Sequence, residues 1–127
     1  MAAVTRFEDL GGWQKARHLT RRVYETTCDG PAAQDFAYRD QLRRAALSVM
    51  LNIAEGFERE SGDKDFRHFL SIAKGSVGEV RAALCVGLDC GHLSRIQFDE
   101  LHGLAVDAVR MLSKFIAYLD GCRPPGG

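Results

Sequence analysis

Residues 36–57 read FAYRDQLRRAALSVMLNIAEGF. Within this stretch Leu42, Ala45, Ala46, Val49, Ile53 and Phe57 recur at three- and four-residue steps, the stripe of one buried α-helical face. The chain's three prolines are Pro31, Pro124 and Pro125, so the strongest helix breaker is absent from long stretches on either side of Pro31. The pattern is all-helical.

Working outward, a first helix is expected from about Leu10 to Cys28, with Trp13, Ala16, Thr20, Val23, Tyr24 and Thr27 on one face and Asp9 as N-cap. Asp29-Gly30-Pro31 stops it, and a short irregular stretch leads into the second helix. Ser61-Gly62-Asp63 opens a third helix reaching about Cys90, with Asp63 and Asp65 favoured by the N-terminal dipole and Gly91 as its C-terminal glycine. Ser94-Arg95-Ile96-Gln97 has the spacing of a capping box and starts a fourth helix lasting to about Leu119. Short connections between four helices imply an antiparallel up-down-up-down four-helix bundle. Residues 1–127 form one domain, with a frayed, disordered tail from about residue 121.

Composition agrees with one packed domain. The chain is 46% hydrophobic and 27% charged, which excludes a disordered tail protein. A chain of this length buries about two-thirds of its unfolded surface, enough for a core without disulfide staples. Cys28, Cys85, Cys90 and Cys122 show no CxxC spacing and are expected as reduced thiols, with Cys85 and Cys90 in apolar surroundings. No apolar run reaches the roughly 18 residues of a membrane span, and the N-terminus lacks a signal pattern, which points to the cytoplasm.

The fourth helix has more apolar surface than one core stripe requires. Phe98, Leu101, Ala105, Ala108, Leu112, Phe115 and Leu119 form that stripe, while Val106, Val109, Met111 and Ile116 lie on other faces. The third helix is likewise apolar around much of its circumference, and Gly75, Gly78 and Gly87 would allow close approach of another helix. Exposed apolar patches of that size imply a subunit interface, for which Val106, Val109, Met111 and Ile116 are the candidates. A homo-oligomer is expected.

No constellation supports catalysis, a metal or another cofactor. Asp65/His68 and Asp99/His102 resemble halves of a di-iron site, but antiparallel register separates the pairs by roughly 20 Å. Cys90-Gly91-His92 lacks a second ligand pair at zinc spacing. Ser48, Ser71, Ser76 and Ser113 have no histidine partner in register. Phosphate-binding glycine loops are also absent.

Two polar features remain. Arg44, Ser48, Asn52 and Glu55 form a ladder beside the apolar stripe of the second helix. With a turnaround near residue 60, Ser48 falls level with about Ile72 and Arg44 with about Ser76, bringing Arg43 or Arg44 within reach of Glu79. A partly buried Arg–Glu pair satisfied by Ser48, Asn52 and Ser76 would fix helix register. The other feature is basic: Lys15, Arg17, Arg21, Arg22, Arg39 and Arg43, with Arg44, give the first two helices a local excess of +3 on a chain of net charge zero. These side chains can contact phosphates, unless Glu25, Asp40 and Glu79 neutralise them.

The combination Phe7-Glu8-Asp9-Leu10, Trp13-Gln14-Lys15-Ala16, Gln41 to Ala46 with Ser48, Asn52-Ile53-Ala54-Glu55-Gly56-Phe57, and Gly75-Ser76 with Glu79 resembles the bacterial four-helix-bundle proteins encoded in intervening sequences of 23S ribosomal RNA genes. That family includes the accessory variability proteins of diversity-generating retroelements. The resemblance implies a homopentameric ring of four-helix bundles and no enzyme. Retroelement relatives are strongly basic and bind nucleic acid, whereas this chain is neutral, with a sequence pI near 6.9. The expected function is therefore a non-enzymatic scaffold with structured RNA or an RNA–protein complex as partner. The competing expectation is a protein-interaction adaptor without nucleic-acid binding.

Overall fold

The structure is a computed structural model that describes residues 4–121. Its helices are α1 (Gly11–Thr26), α2 (Gly30–Gln34), α3 (Phe36–Glu58), α4 (Asp63–Asp89) and α5 (Arg95–Leu119), preceded by a 3-10 turn over Phe7–Asp9. The four long helices form a closed bundle in which α3 packs most extensively on α4, α4 also packs on α5, and α1 bridges α3 and α5. No strand occurs among the described residues. The expected frayed tail and Cys122 lie outside them.

The core follows the apolar stripes. Leu42, Ala45, Ala46, Val49 and Ile53 of α3 are buried against Val77, Val80 and Leu84 of α4, Leu19 and Val23 of α1, and Leu101, Ala105, Ala108 and Leu112 of α5. Each fully buried leucine contributes about 1.5–3 kcal/mol relative to exposure, so this interior dominates stability. Phe66 closes one end of the bundle, with ring centroids 6.0 Å from Phe57 and 5.3 Å from Phe115. At that end Gly56 lies so close to α4 that a Cβ there would be 2.6 Å from the Phe69 Cβ.

At the other end, Tyr38 donates its hydroxyl to the Ala83 carbonyl at 2.8 Å, and the His92 ring packs on Tyr38 with centroids 4.9 Å apart and planes tilted by 53°. Asp35 caps α3 by accepting from the Tyr38 N–H at 3.1 Å and meets the His92 Nε2 at 3.0 Å. The Tyr38 backbone N–H, followed by His92, holds the Asp35 carboxyl below its ordinary range. Burial pushes the Tyr38 phenol up to about 12.

Several local expectations require correction. Asp9 does not cap α1: it ends the 3-10 turn, and Leu10 occupies the N-cap position without a side-chain cap. The Phe7 ring packs 5.1 Å from Trp13 and Leu10 is buried, so apolar contacts set the entry to this helix. The stretch after Gly30 is a one-turn helix because Pro31 occupies its first turn, where the missing N–H has no intrahelical partner to lose. Cys85 and Cys90 are exposed: Cys85 lies one heptad after the exposed Gly78 on the outward side of α4, and Cys90 is that helix's C-cap. The Ser94/Gln97 capping box forms at the start of α5, and Gly91 adopts φ 76° just past the end of α4.

Candidate functional site

The six basic residues Lys15, Arg17, Arg21, Arg22, Arg39 and Arg43 are divided by the bundle between two sides of α1. Lys15 and Arg22, seven residues apart, face α5. The Lys15 Nζ lies 4.0 Å from an Asp107 carboxylate oxygen, while Arg22 makes a bidentate pair with Glu100 through Nε and Nη2, both at 2.9 Å. The hydrogen bond from Arg22 holds the Glu100 carboxyl below its usual range, and the same bond raises the Arg22 pKa. These two cations tie helices together.

Arg17 and Arg21 lie on the opposite flank, one turn apart, in line with Tyr24. The Thr20 hydroxyl donates to the Ala46 carbonyl at 3.1 Å and sets the register of α1 against α3. Arg43 crosses from α3 to donate through Nε to the Thr27 hydroxyl at 2.8 Å, and its guanidinium lies 4.6 Å from the centre of the Tyr24 ring. Arg39, one turn earlier on the same face of α3, lies over Phe36 at 5.0 Å, and Arg17 lies over Trp13 at 5.6 Å.

Three arginine–aromatic pairs therefore line the α1–α3 groove. With 1.5 Å of rise per helical residue, neighbouring pairs are separated by roughly 6–10 Å along the bundle. Their carboxylate partners differ. Arg21 meets Glu25 at 3.5 Å and Arg39 meets Asp40 at 3.0 Å, whereas Arg17 and Arg43 have no acidic partner among the described residues. A shallow depression of about 390 Å³, lined by Glu8, Trp13, Gln14, Arg17, His18 and Arg21, lies at the α1 end of this groove. Such a surface presents guanidinium planes to an anion, beside the exposed rings of Tyr24 and Phe36; Trp13 itself is buried. Charge counting revealed the cations; Arg17 on Trp13 and Arg39 on Phe36 are pairs within one helix at four- and three-residue spacing, whereas Arg43 on Tyr24 depends on the α1–α3 register.

The polar ladder is divided as well. The Ser48 and Ser76 hydroxyls lie 2.9 Å apart across α3 and α4, and Asn52 donates to the Ser48 Oγ at 3.0 Å and to its carbonyl at 2.8 Å. Ser48 is thus level with Ser76, one turn from the expected Ile72. The Arg59–Gly62 connection, turned by Gly62 at φ 98°, lets the first turn of α4 overhang the end of α3. Arg44 and Glu79 form no buried pair; both are exposed, because they lie on the outward rather than the mutually facing sides of their helices. Glu55 is also exposed and meets Arg59 at 3.6 Å.

The four interface candidates on α5 are half-buried. Val109 and Ile116 pack against the core, and Met111 rests on Gly11 of α1. Much of the broad apolar surface of α5 is therefore used between α1 and α4 within the protomer. Larger exposure occurs at Leu51, Ile72, Val86 and Ile96.

The histidines of the two D-x-x-H pairs contact aromatic rings, His68 against Phe69 and His102 stacked on Phe98. Their aspartates meet Arg59 and Arg95. Among the described residues no group of three or more His, Cys, Asp and Glu side chains could hold a metal ion. Among the described residues no helix is long and apolar enough to cross a membrane.

Residues 8–114 match the family model of the 23S rRNA-intervening sequence proteins. A crystal structure of a protein of unknown function from the S23 ribosomal protein family of Bacteroides thetaiotaomicron superposes with a TM-score of 0.74. It shares 20% identity, and the match covers 83% of this chain and 97% of that one. No curated protein matches. At this identity the structural likeness establishes the bundle alone, and neither match names an enzyme. The family match extends from before α1 well into α5 and includes both the arginine groove and the polar ladder, so the chain belongs to the 23S rRNA-intervening sequence protein family.

Proposed function

We propose that this protein is a non-enzymatic cytoplasmic scaffold, assembled as a homopentameric ring, that binds structured RNA or an RNA–protein complex along the α1–α3 groove. The row of arginine–aromatic pairs, Arg17 on Trp13, Arg43 on Tyr24 and Arg39 on Phe36, carries this reading. Arg17 and Arg43 have no carboxylate to displace, so phosphate contact costs them no existing ion pair. A ring would repeat the groove by symmetry and convert a weak contact into avid binding. The neutral net charge makes the groove, rather than the whole-molecule field, responsible for affinity.

The test is binding of a structured RNA hairpin across a salt titration. Arg17→Glu/Arg21→Glu should remain folded and bind more weakly with a shallower salt slope, by about 0.7–0.9 for each phosphate no longer neutralised. Lys15→Glu, on the other flank, should change both quantities far less. Unchanged affinity and slope in the double variant would refute the groove. Salt-insensitive capture of a protein, with no RNA bound, would replace this reading by the adaptor.

A further inference from the structure

Two rings of the α1–α3 groove, Tyr24 and Phe36, are turned to solvent rather than to the core. Tyr24 is 40% exposed and Phe36 65%, and the guanidinium groups of Arg43 and Arg39 lie over them at 4.6 and 5.0 Å. Phe36, Arg39 and Arg43 follow along α3 at i, i+3 and i+7, and Arg17, Arg21 and Tyr24 follow along α1 at i, i+4 and i+7. Each ring thus continues a row of cations. The Thr20–Ala46 hydrogen bond sets Tyr24 level with Leu42, beyond Phe36 on α3, so the two rings are roughly 9 Å apart along the bundle. Between those levels lies the Arg43 guanidinium, held by its 2.8 Å hydrogen bond to the Thr27 hydroxyl.

The charges around these rings are too sparse for a double helix. A duplex carries phosphates on two strands and hides the faces of its bases in the stack. Here Arg21 and Arg39 already meet Glu25 and Asp40, and those carboxylates would be brought against the phosphate rows. The exposed rings would have no base face to meet. An unpaired segment differs on both counts, because it carries fewer phosphates and its bases are free to stack on aromatic rings and arginine planes. Spacing adds a constraint: bases in a continuous stack lie about 3.4 Å apart, so rings roughly 9 Å apart receive bases splayed out of it. We propose that the groove takes unpaired nucleotides of its RNA, one base on Phe36, another on Tyr24, and the phosphate between them on Arg43. This inference rests on the RNA reading above and names the part of the RNA that the groove holds.

Fluorescence titration at fixed salt tests it with two probes of equal phosphate number. One is a hairpin whose loop is an unpaired adenosine tract containing 2-aminopurine; the other is a blunt RNA duplex. The unmodified protein should bind the hairpin about tenfold more tightly or better, and the 2-aminopurine emission should fall as its base stacks. Tyr24→Leu and Phe36→Leu keep apolar bulk at exposed positions without a ring face, so the helical circular dichroism should persist. Each should weaken hairpin binding about fivefold or more, while duplex binding and the salt slope stay unchanged. Tyr24→Phe, which keeps the ring, should bind as the unmodified protein does. Equal affinity for the two probes, unquenched emission on binding, or full hairpin affinity in Tyr24→Leu/Phe36→Leu would each overturn the unpaired-base assignment. The two-probe comparison decides alone if a leucine variant fails to fold. Weakened binding by Arg17→Glu/Arg21→Glu alongside any of those results would leave the RNA groove standing, whereas binding of neither probe would overturn both.

Discussion

Replacing Gly87 by alanine should destabilise the protein, although the same change in an exposed helix stabilises. In a free helix the added methyl group is worth about 1 kcal/mol in alanine's favour. At Gly87 its Cβ would collide with the Tyr38 hydroxyl and lie 2.9–3.0 Å from the Leu93 side chain. Relieving that overlap costs about 1–3 kcal/mol, and displacing the hydroxyl from the Ala83 carbonyl costs about 1 kcal/mol more. The net loss is about 1–3 kcal/mol, measured by urea denaturation followed at the helical circular dichroism band at constant protein concentration. Tyr38→Phe alone should cost about 1 kcal/mol, because it gives up one hydrogen bond without the overlap. In the Tyr38→Phe background, Gly87→Ala should be close to neutral, since the colliding oxygen is absent and only the flexible Leu93 end must adjust. The coupling energy of the cycle should therefore be at least about 1 kcal/mol. Equal costs of Gly87→Ala in both backgrounds, or stabilisation of the otherwise unmodified protein, would refute the close approach of α3 to α4 at this position.

Three further outcomes follow from the packing. Ser48→Ala and Ser76→Ala should each cost about 1–2 kcal/mol, and the double variant less than their sum, because removing both hydroxyls leaves neither without its partner; additive losses in denaturant melts would contradict the bond. Leu84→Ala, at 0% exposure, should cost about 2–5 kcal/mol in the same melts, and a loss under 1 kcal/mol would show that the core there is not close-packed. Glu100→Gln should cost at most about 1 kcal/mol near pH 7, discounted for the exposure of this ion pair. The Glu100 pKa is lowered on folding, so its contribution is complete above the ordinary glutamate range and disappears as pH falls through the folded value. Stability curves of the two proteins should converge in acid; a gap that widens there would have the wrong sign.

Helix identity and the buried stripes were legible because both depend on short sequence separations. The i, i+3, i+4 pattern in residues 36–57 specifies which side of α3 is apolar, and the Ser94/Gln97 cap depends on side chains only three residues apart. The membership of the family was legible in the same way, from contiguous motifs. The short helix after Asp29 was not, because five residues are too few for a periodic signal. Likewise, the exposure of Cys85 could not be read from its apolar neighbours: on a helix, adjacent residues lie about 100° apart and can have opposite environments.

The sequence by itself determined the helices, their core faces and the stock of arginines on α1 and α3. Tertiary structure decided what those arginines do, because a long side chain takes its partner from whichever helix is adjacent. Arg22 finds Glu100 across the α1–α5 seam, whereas Arg43 finds Tyr24 across the α1–α3 seam. The same holds for the ladder. A one-turn shift in the α3–α4 register pairs Ser48 with Ser76, and the outward helical phase of Arg44 and Glu79 leaves both exposed. Local periodicity sets the phase of each helix on its own axis; only packing sets the height of one helix against another.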